Sequence, residues 1–136
     1  MTDSSATPSS ATPSSATPSS ATPDVAHGPV PQPAFEVPYY AVVFTSVRTE
    51  GDGGYGETAG RLEELVKDVP GFLGMDLART PGGLGITVGY FRDEDAIKEW
   101  RSDMEHRAAQ KRGREEWYES YTLHIAKVER SHGFRK

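Results

Sequence analysis

Trp100 to Arg130, WRSDMEHRAAQKRGREEWYESYTLHIAKVER, gathers both tryptophans, two of the four histidines and the pair Tyr118 and Tyr121 into one stretch. Imidazole titrates near physiological pH, and indole and phenol rings offer flat apolar faces with one polar handle. A site that binds or transforms a small molecule is expected here. Metal chemistry is not, because His27, His106, His124 and His132 form no recognisable ligand spacing. The absence of cysteine also excludes thiolate catalysis, disulfides and Cys-bound zinc. Arg107, Lys111, Arg112 and Arg114 could attract an anion, but Glu105, Glu115 and Glu116 flank them, the pattern of a solvated, ion-paired helix face. His124 reads as a core or interface residue.

The elements that must position these residues follow from hydrophobic period. Tyr39 to Arg48 is apolar on both faces and partly β-branched, which predicts a strand covered on two sides. After the glycine-rich residues 51–56, Leu62, Leu65, Val66 and Val69 recur at i, i+3, i+4 and i+7, predicting an amphipathic helix over 57–69 that Pro70-Gly71 ends. Those glycines do not fit the phosphate-loop pattern. Phe72 to Arg79 and Leu84 to Phe91 read as strands joined at Pro81, Gly82 and Gly83, with Gly85, Thr87 and Gly89 leaving room on one face of the second. Asp93 suits an N-cap, and Ala96, Ile97, Trp100, Met104 and Ala108 form the apolar stripe of a second helix. Continued to Tyr118 that helix would run about 39 Å, too long for so small a domain, so a break is expected at Gly113. His106 then lies about 180° from Ile97 and away from the stripe, on a face shared with Gln110 and Trp117. Tyr121 to Val128 closes the order as a fourth strand. The result is α+β, a ferredoxin-like β-α-β-β-α-β arrangement. Two helices cover one face of such a sheet, so the apolar second face predicts a homodimer.

Composition bounds the rest. Four copies of Ser-Ser-Ala-Thr-Pro run from Ser4 to Pro23, and prolines punctuate the chain to Pro38, so residues 1–38 are expected to be a disordered tail and 39–136 the domain. This tail lacks the basic start and apolar core of a secretory signal. It holds Asp3, Asp24 and Glu36 of the 20 acidic residues and none of the 15 basic ones, which leaves the domain 17 acidic against 15 basic. That near balance makes no electrostatic case for nucleic acid, and no apolar run approaches the roughly 20 residues a bilayer requires. A soluble cytoplasmic protein is expected.

Four motifs, VVFTSVRTEGDGGYGE at 42–57, PGFLG at 70–74, GITVGYF at 85–91 and the W–EH–AQ–GR–WY–Y–VER pattern from Trp100 to Arg130, carry a resemblance to a known family. From Tyr40 to Phe134 the chain resembles the antibiotic biosynthesis monooxygenase superfamily, and within it the bacterial branch that includes haem-degrading monooxygenases. The resemblance implies a dimeric α+β barrel. The haem-degrading members use an Asn on the first strand, a Trp on the second helix and an iron-ligating His about ten residues later; here Trp100 stands at the Trp position, Gln110 at the His position, and the first strand has no Asn. His106, one turn before Gln110, is the available substitute ligand.

The other activity the resemblance implies is oxygenation of a small aromatic without a bound organic cofactor. It requires a water-excluding pocket that holds a substrate anion beside oxygen and a base that works near neutral pH. His106 is the natural base, Trp100 and Trp117 are candidate walls, and Gln110, Tyr118 or Tyr121 could orient the substrate oxygen. A third reading is a non-catalytic dimeric module that binds a small ligand.

Overall fold

The structure is a computed structural model that describes residues 30–136. The Ser-Ser-Ala-Thr-Pro repeats, and the expectation placed on them, lie outside the described residues. The elements are β1 (Tyr39–Arg48), α1 (Tyr55–Val66), β2 (Phe72–Arg79), β3 (Leu84–Phe91), α2 (Glu94–Ser102), α3 (Met104–Arg112), a π-helical turn (Gly113–Trp117) and β4 (Tyr118–Val128). The strands form one antiparallel sheet in the order β2-β3-β1-β4, with β1 central as its two-sided apolar pattern predicts. This is the expected ferredoxin-like α+β fold.

Alternation along β1 divides its residues between two layers. Tyr40, Val42, Phe44, Ser46 and Arg48 face the helices, and at one end Tyr40 and Val42 pack with Val66, Phe91, Ala96 and Ile97. Tyr39, Ala41, Val43, Thr45 and Val47 face the opposite side. Part of that side is covered by residues 30–38, which the sequence reading assigned to the tail. The Phe35 ring sits 5.5 Å from Tyr39 and 5.6 Å from Tyr90, and the Gln32 backbone N–H donates to Asp76 at 3.0 Å. The folded unit therefore begins before Tyr39. Toward the far end of β3 the same side is open, with Leu84 and Ile86 exposed.

The long second helix changes at Gly113 as expected, where α3 gives way to the π turn, and it also breaks earlier, at Asp103. Asp103 takes an extended conformation (φ −60°, ψ 130°); its N–H donates to the Trp100 carbonyl, ending α2, while its carboxylate accepts from the His106 N–H at 2.9 Å, starting α3. One residue thus caps both helices. The break re-phases everything after it. Met104, assigned to the apolar stripe, is 84% exposed, and His106, assigned to the polar face, is 2% exposed. At Gly113 the chain widens into the π turn, a geometry that carries Trp117 inward to 4% exposure.

Candidate active site

Between sheet and helices, the end of the molecule away from the Ile97 cluster is aromatic and cationic. Phe44 from β1 lies 5.3 Å from the Tyr118 ring and 5.1 Å from Tyr121; Tyr118 is also 5.9 Å from Tyr55 of α1. Strand register explains the grouping, because Ser46 pairs with Tyr121 and Arg48 with Tyr118, with Glu119 bulged out between them. Arg48 stacks its guanidinium 3.5 Å above the Tyr55 ring and donates to the carbonyls of Trp117 at 3.1 Å and Gly51 at 3.1 Å. Arg79, the last residue of β2, donates from Nη2 to the Ser46 hydroxyl oxygen at 2.6 Å. Burial, then the neighbouring Tyr55 hydroxyl, pushes the Tyr118 phenol well above its usual range, so it stays neutral. Burial likewise pulls the Arg48 guanidinium down from its ordinary value.

The Gly-rich loop is pinned to this end by Trp117. Its indole N–H donates to the Gly53 carbonyl at 2.9 Å, and its ring meets Tyr55 edge-on at 5.7 Å. Gly54 caps α1 at φ 86°, a left-handed conformation that a β-carbon would strain. Arg112 crosses the Trp117 ring at 4.9 Å and donates to Gly53 at 2.8 Å.

His106 lies on α3 with its ring stacked on Trp100, centroids 4.2 Å apart and planes 12° from parallel. Its Nδ1 is 3.0 Å from the Trp100 carbonyl oxygen. A carbonyl can only accept, so Nδ1 carries the hydrogen and Nε2, also buried, is the basic nitrogen. Burial lowers the imidazole well below its usual pKa, so the ring is neutral at pH 7. One turn along α3, Gln110 is half-buried; between them Ala109 packs against the Tyr55, Ala59 and Trp117 cluster that Tyr118 also joins.

A sequence profile of the family described as antibiotic biosynthesis monooxygenase matches residues 38–112, more than half of the chain. The chain belongs to this family. A relative within reach of direct alignment, the uncharacterised protein YqjZ of Bacillus subtilis (strain 168), is 52% identical over 101 residues, spanning 74% of this chain and 89% of that protein. Among solved structures, SO0527 from Shewanella oneidensis superposes with a TM-score of 0.59 at 15% identity, covering 67% of this chain and 91% of its own. SnoaB from Streptomyces nogalater, a cofactor-independent oxygenase, superposes with a TM-score of 0.59 at 11% identity, covering 70% of this chain and 97% of its own. At those identities the structures show a shared fold.

Within this antibiotic biosynthesis monooxygenase fold, the residues singled out from the sequence separate into two groups. His106 and Trp100 are in contact, while Tyr118 and Tyr121 adjoin each other through Phe44. Trp117 has its polar atom committed to Gly53 and serves the loop. His124 pairs with Val43 on the side of the sheet away from the helices and is exposed. Two members of the basic cluster are ion-paired as expected, Lys111 with Glu115 at 3.6 Å and Arg112 with Glu116 at 3.3 Å, while Glu105 pairs with Arg61 instead. Sequence reasoning missed Ser46, Arg48, Tyr55 and Arg79. The signal for Arg79 was the small-residue pattern of β3, since its guanidinium fills the space over Gly85.

Gln110 places an amide where the haem-degrading pattern has its imidazole, whereas His106 keeps Nδ1 on the Trp100 carbonyl, the way a ligating imidazole is commonly held, with one ring face against Trp100. Among the described residues no group of three His, Cys, Asp or Glu could hold a metal ion, and no helix is long and apolar enough to cross a membrane.

Proposed function

We propose that the chain is a monooxygenase that oxygenates a small electron-rich aromatic, of the naphthol or hydroquinone class, without a bound organic cofactor. The observation that carries this reading is a neutral, buried His106 whose Nδ1–H is fixed by the Trp100 carbonyl, leaving Nε2 as the base. Trp100 forms one wall, Gln110, Tyr118 and Tyr121 orient the substrate, and Trp117 backs the loop beside it. For a naphthol the balance needs no external reductant. His106 takes the hydroxyl proton, the ring carbon para to the oxygen bonds one atom of O2, and that carbon's hydrogen and the hydroxyl proton leave with the second oxygen atom as water. The product is the quinone. The family match and the cofactor-independent oxygenase SnoaB, which shares the fold, support the reading. A cytoplasmic setting, expected from the cysteine-free composition, belongs to it as well.

Oxygen uptake by chelator-treated protein with a panel of naphthols and hydroquinones tests it, with turnover of at least one class expected. Binding of the panel without uptake would leave the non-catalytic module. In parallel, titration with haemin is expected to give no saturable Soret band; a ligated spectrum that reductant bleaches would restore haem chemistry.

The same reading makes the protein a homodimer across the helix-free face of the sheet. Leu84, 55% exposed, and Ile86, 42% exposed, continue there into Val43, Val47 and Val88. Sedimentation velocity is expected to give twice the chain mass, and Ile86→Glu to give a monomer. A monomeric wild type sinks this part.

A further inference from the structure

Arg79 is a half-buried guanidinium that no carboxylate of the described residues pairs with. It sits at the end of β2 opposite Gly85 of β3, where a β-carbon would collide with its guanidinium, so the glycine acts as a cradle. Nη2 donates to Ser46 Oγ at 2.6 Å, Nε is buried with no hydrogen-bond partner, and no acidic side chain pairs with the group among the described residues. The neighbouring ion, Arg48, has the same sign and is already bonded to loop carbonyls. A fork of N–H groups held in a low-dielectric setting without a counter-ion is costly for folding alone, and its shape fits a planar anion that accepts two parallel hydrogen bonds. Ser46 is buried and accepts from Arg79, and a hydroxyl that accepts can also donate its own hydrogen. Around this pair the surface is aromatic: Phe44 lies two residues away on the same face of β1, and Tyr121 stands opposite Ser46 on β4.

We propose that Arg79 and Ser46 bind a carboxylate carried by the aromatic ligand, with Gly85 as the cradle and Phe44 and Tyr121 against the ring, so that the preferred substrates are aromatic acids such as hydroxynaphthoates. This rests on the small-aromatic reading of the site, and it concerns recognition rather than turnover.

Calorimetric titration of the full chain with 1-hydroxy-2-naphthoate and with its methyl ester separates the two. The acid is expected to bind about tenfold or more tightly than the ester, as charge-assisted hydrogen bonds imply. Arg79→Gln is expected to cut the preference to within twofold, and Gly85→Ala, which drives the guanidinium from its cradle, to reduce it as well. In the wild type the Arg79 Nε–H resonance should shift on adding the acid and hold still with the ester, a readout that does not depend on either variant folding. Equal affinity for acid and ester, a preference that survives Arg79→Gln, or an unmoved Nε–H signal overturns the assignment. Acid binding without oxygen uptake would sink the oxygenase reading and leave this one standing; uptake with no preference for the acid would do the reverse.

Discussion

Trp117→Ala is expected to destabilise the domain by about 3–5 kcal/mol, the range for truncating a large buried aromatic. The loss falls on one joint. Trp117 is 4% exposed, bonds Gly53 through its indole N–H, meets Tyr55 edge-on and lies under Arg112, so its removal leaves a cavity and takes one of two donors from the Gly53 carbonyl while releasing the loop before α1. For a domain of this size the melting temperature should fall by roughly 10–25 °C. Trp117→Phe keeps most of the packing and loses the hydrogen bond, so it should lose only about 1–2 kcal/mol and retain ligand binding. Denaturant unfolding of both variants checks this. A loss below 1 kcal/mol for Trp117→Ala, or abolished ligand binding in a well-folded Trp117→Phe, would return Trp117 to the role of a substrate wall.

His106→Phe carries the largest expected effect on activity. Phenylalanine preserves a flat ring against Trp100 and removes the base, so oxygen uptake should fall by about 10²–10⁴-fold, the usual contribution of a positioned general base, while the fold persists. The pH dependence has a defined direction. Burial lowers the folded-state pKa of His106, so wild-type uptake should persist below pH 6.5 and fail only once the buried imidazole itself protonates. Stability moves with it: the unfolded chain gains a proton at this position below about pH 6.5 and the folded chain does not, so stability falls as pH drops through that window, by at most about 1.4 kcal/mol per unit. Above pH 6.5 this contribution is fully present, and His106→Phe should remove the slope. Uptake that survives the substitution would take the base role from His106.

The fold was legible because its determinants are local. The 3.6-residue spacing of Leu62 and Val66, the alternation of β3, the two-sided apolarity of β1 and the Asp93 cap each specify an element within a short window. The site was less legible because it depends on one backbone rotation and one register. An uninterrupted helix places His106 outward; the extended Asp103 turns it inward, and the readable sign was Asp103 followed by Glu105, an N-cap with an acidic first turn. The π turn does the same for Trp117, whose place on a polar helix face suggested a ligand wall. Arg79 meets Ser46 and Gly85 only through pairing of three strands, which spacing along the chain cannot reveal. Residues 30–38 look like more of the proline-rich tail, yet Phe35 finds Tyr39 and Tyr90, an aromatic contact across 55 positions of sequence for the latter.

The central claim is that oxygen from O2 enters an aromatic ring on this chain with no cofactor and no reductant. Chelator-treated protein supplied with ¹⁸O2 and a naphthol or hydroxynaphthoate should yield a quinone carrying one ¹⁸O atom per new carbonyl, with the second atom in water and no dependence on haemin, flavin or nicotinamide. Product oxygen drawn from water, or turnover that appears only when a reductant or haemin is added, would contradict it.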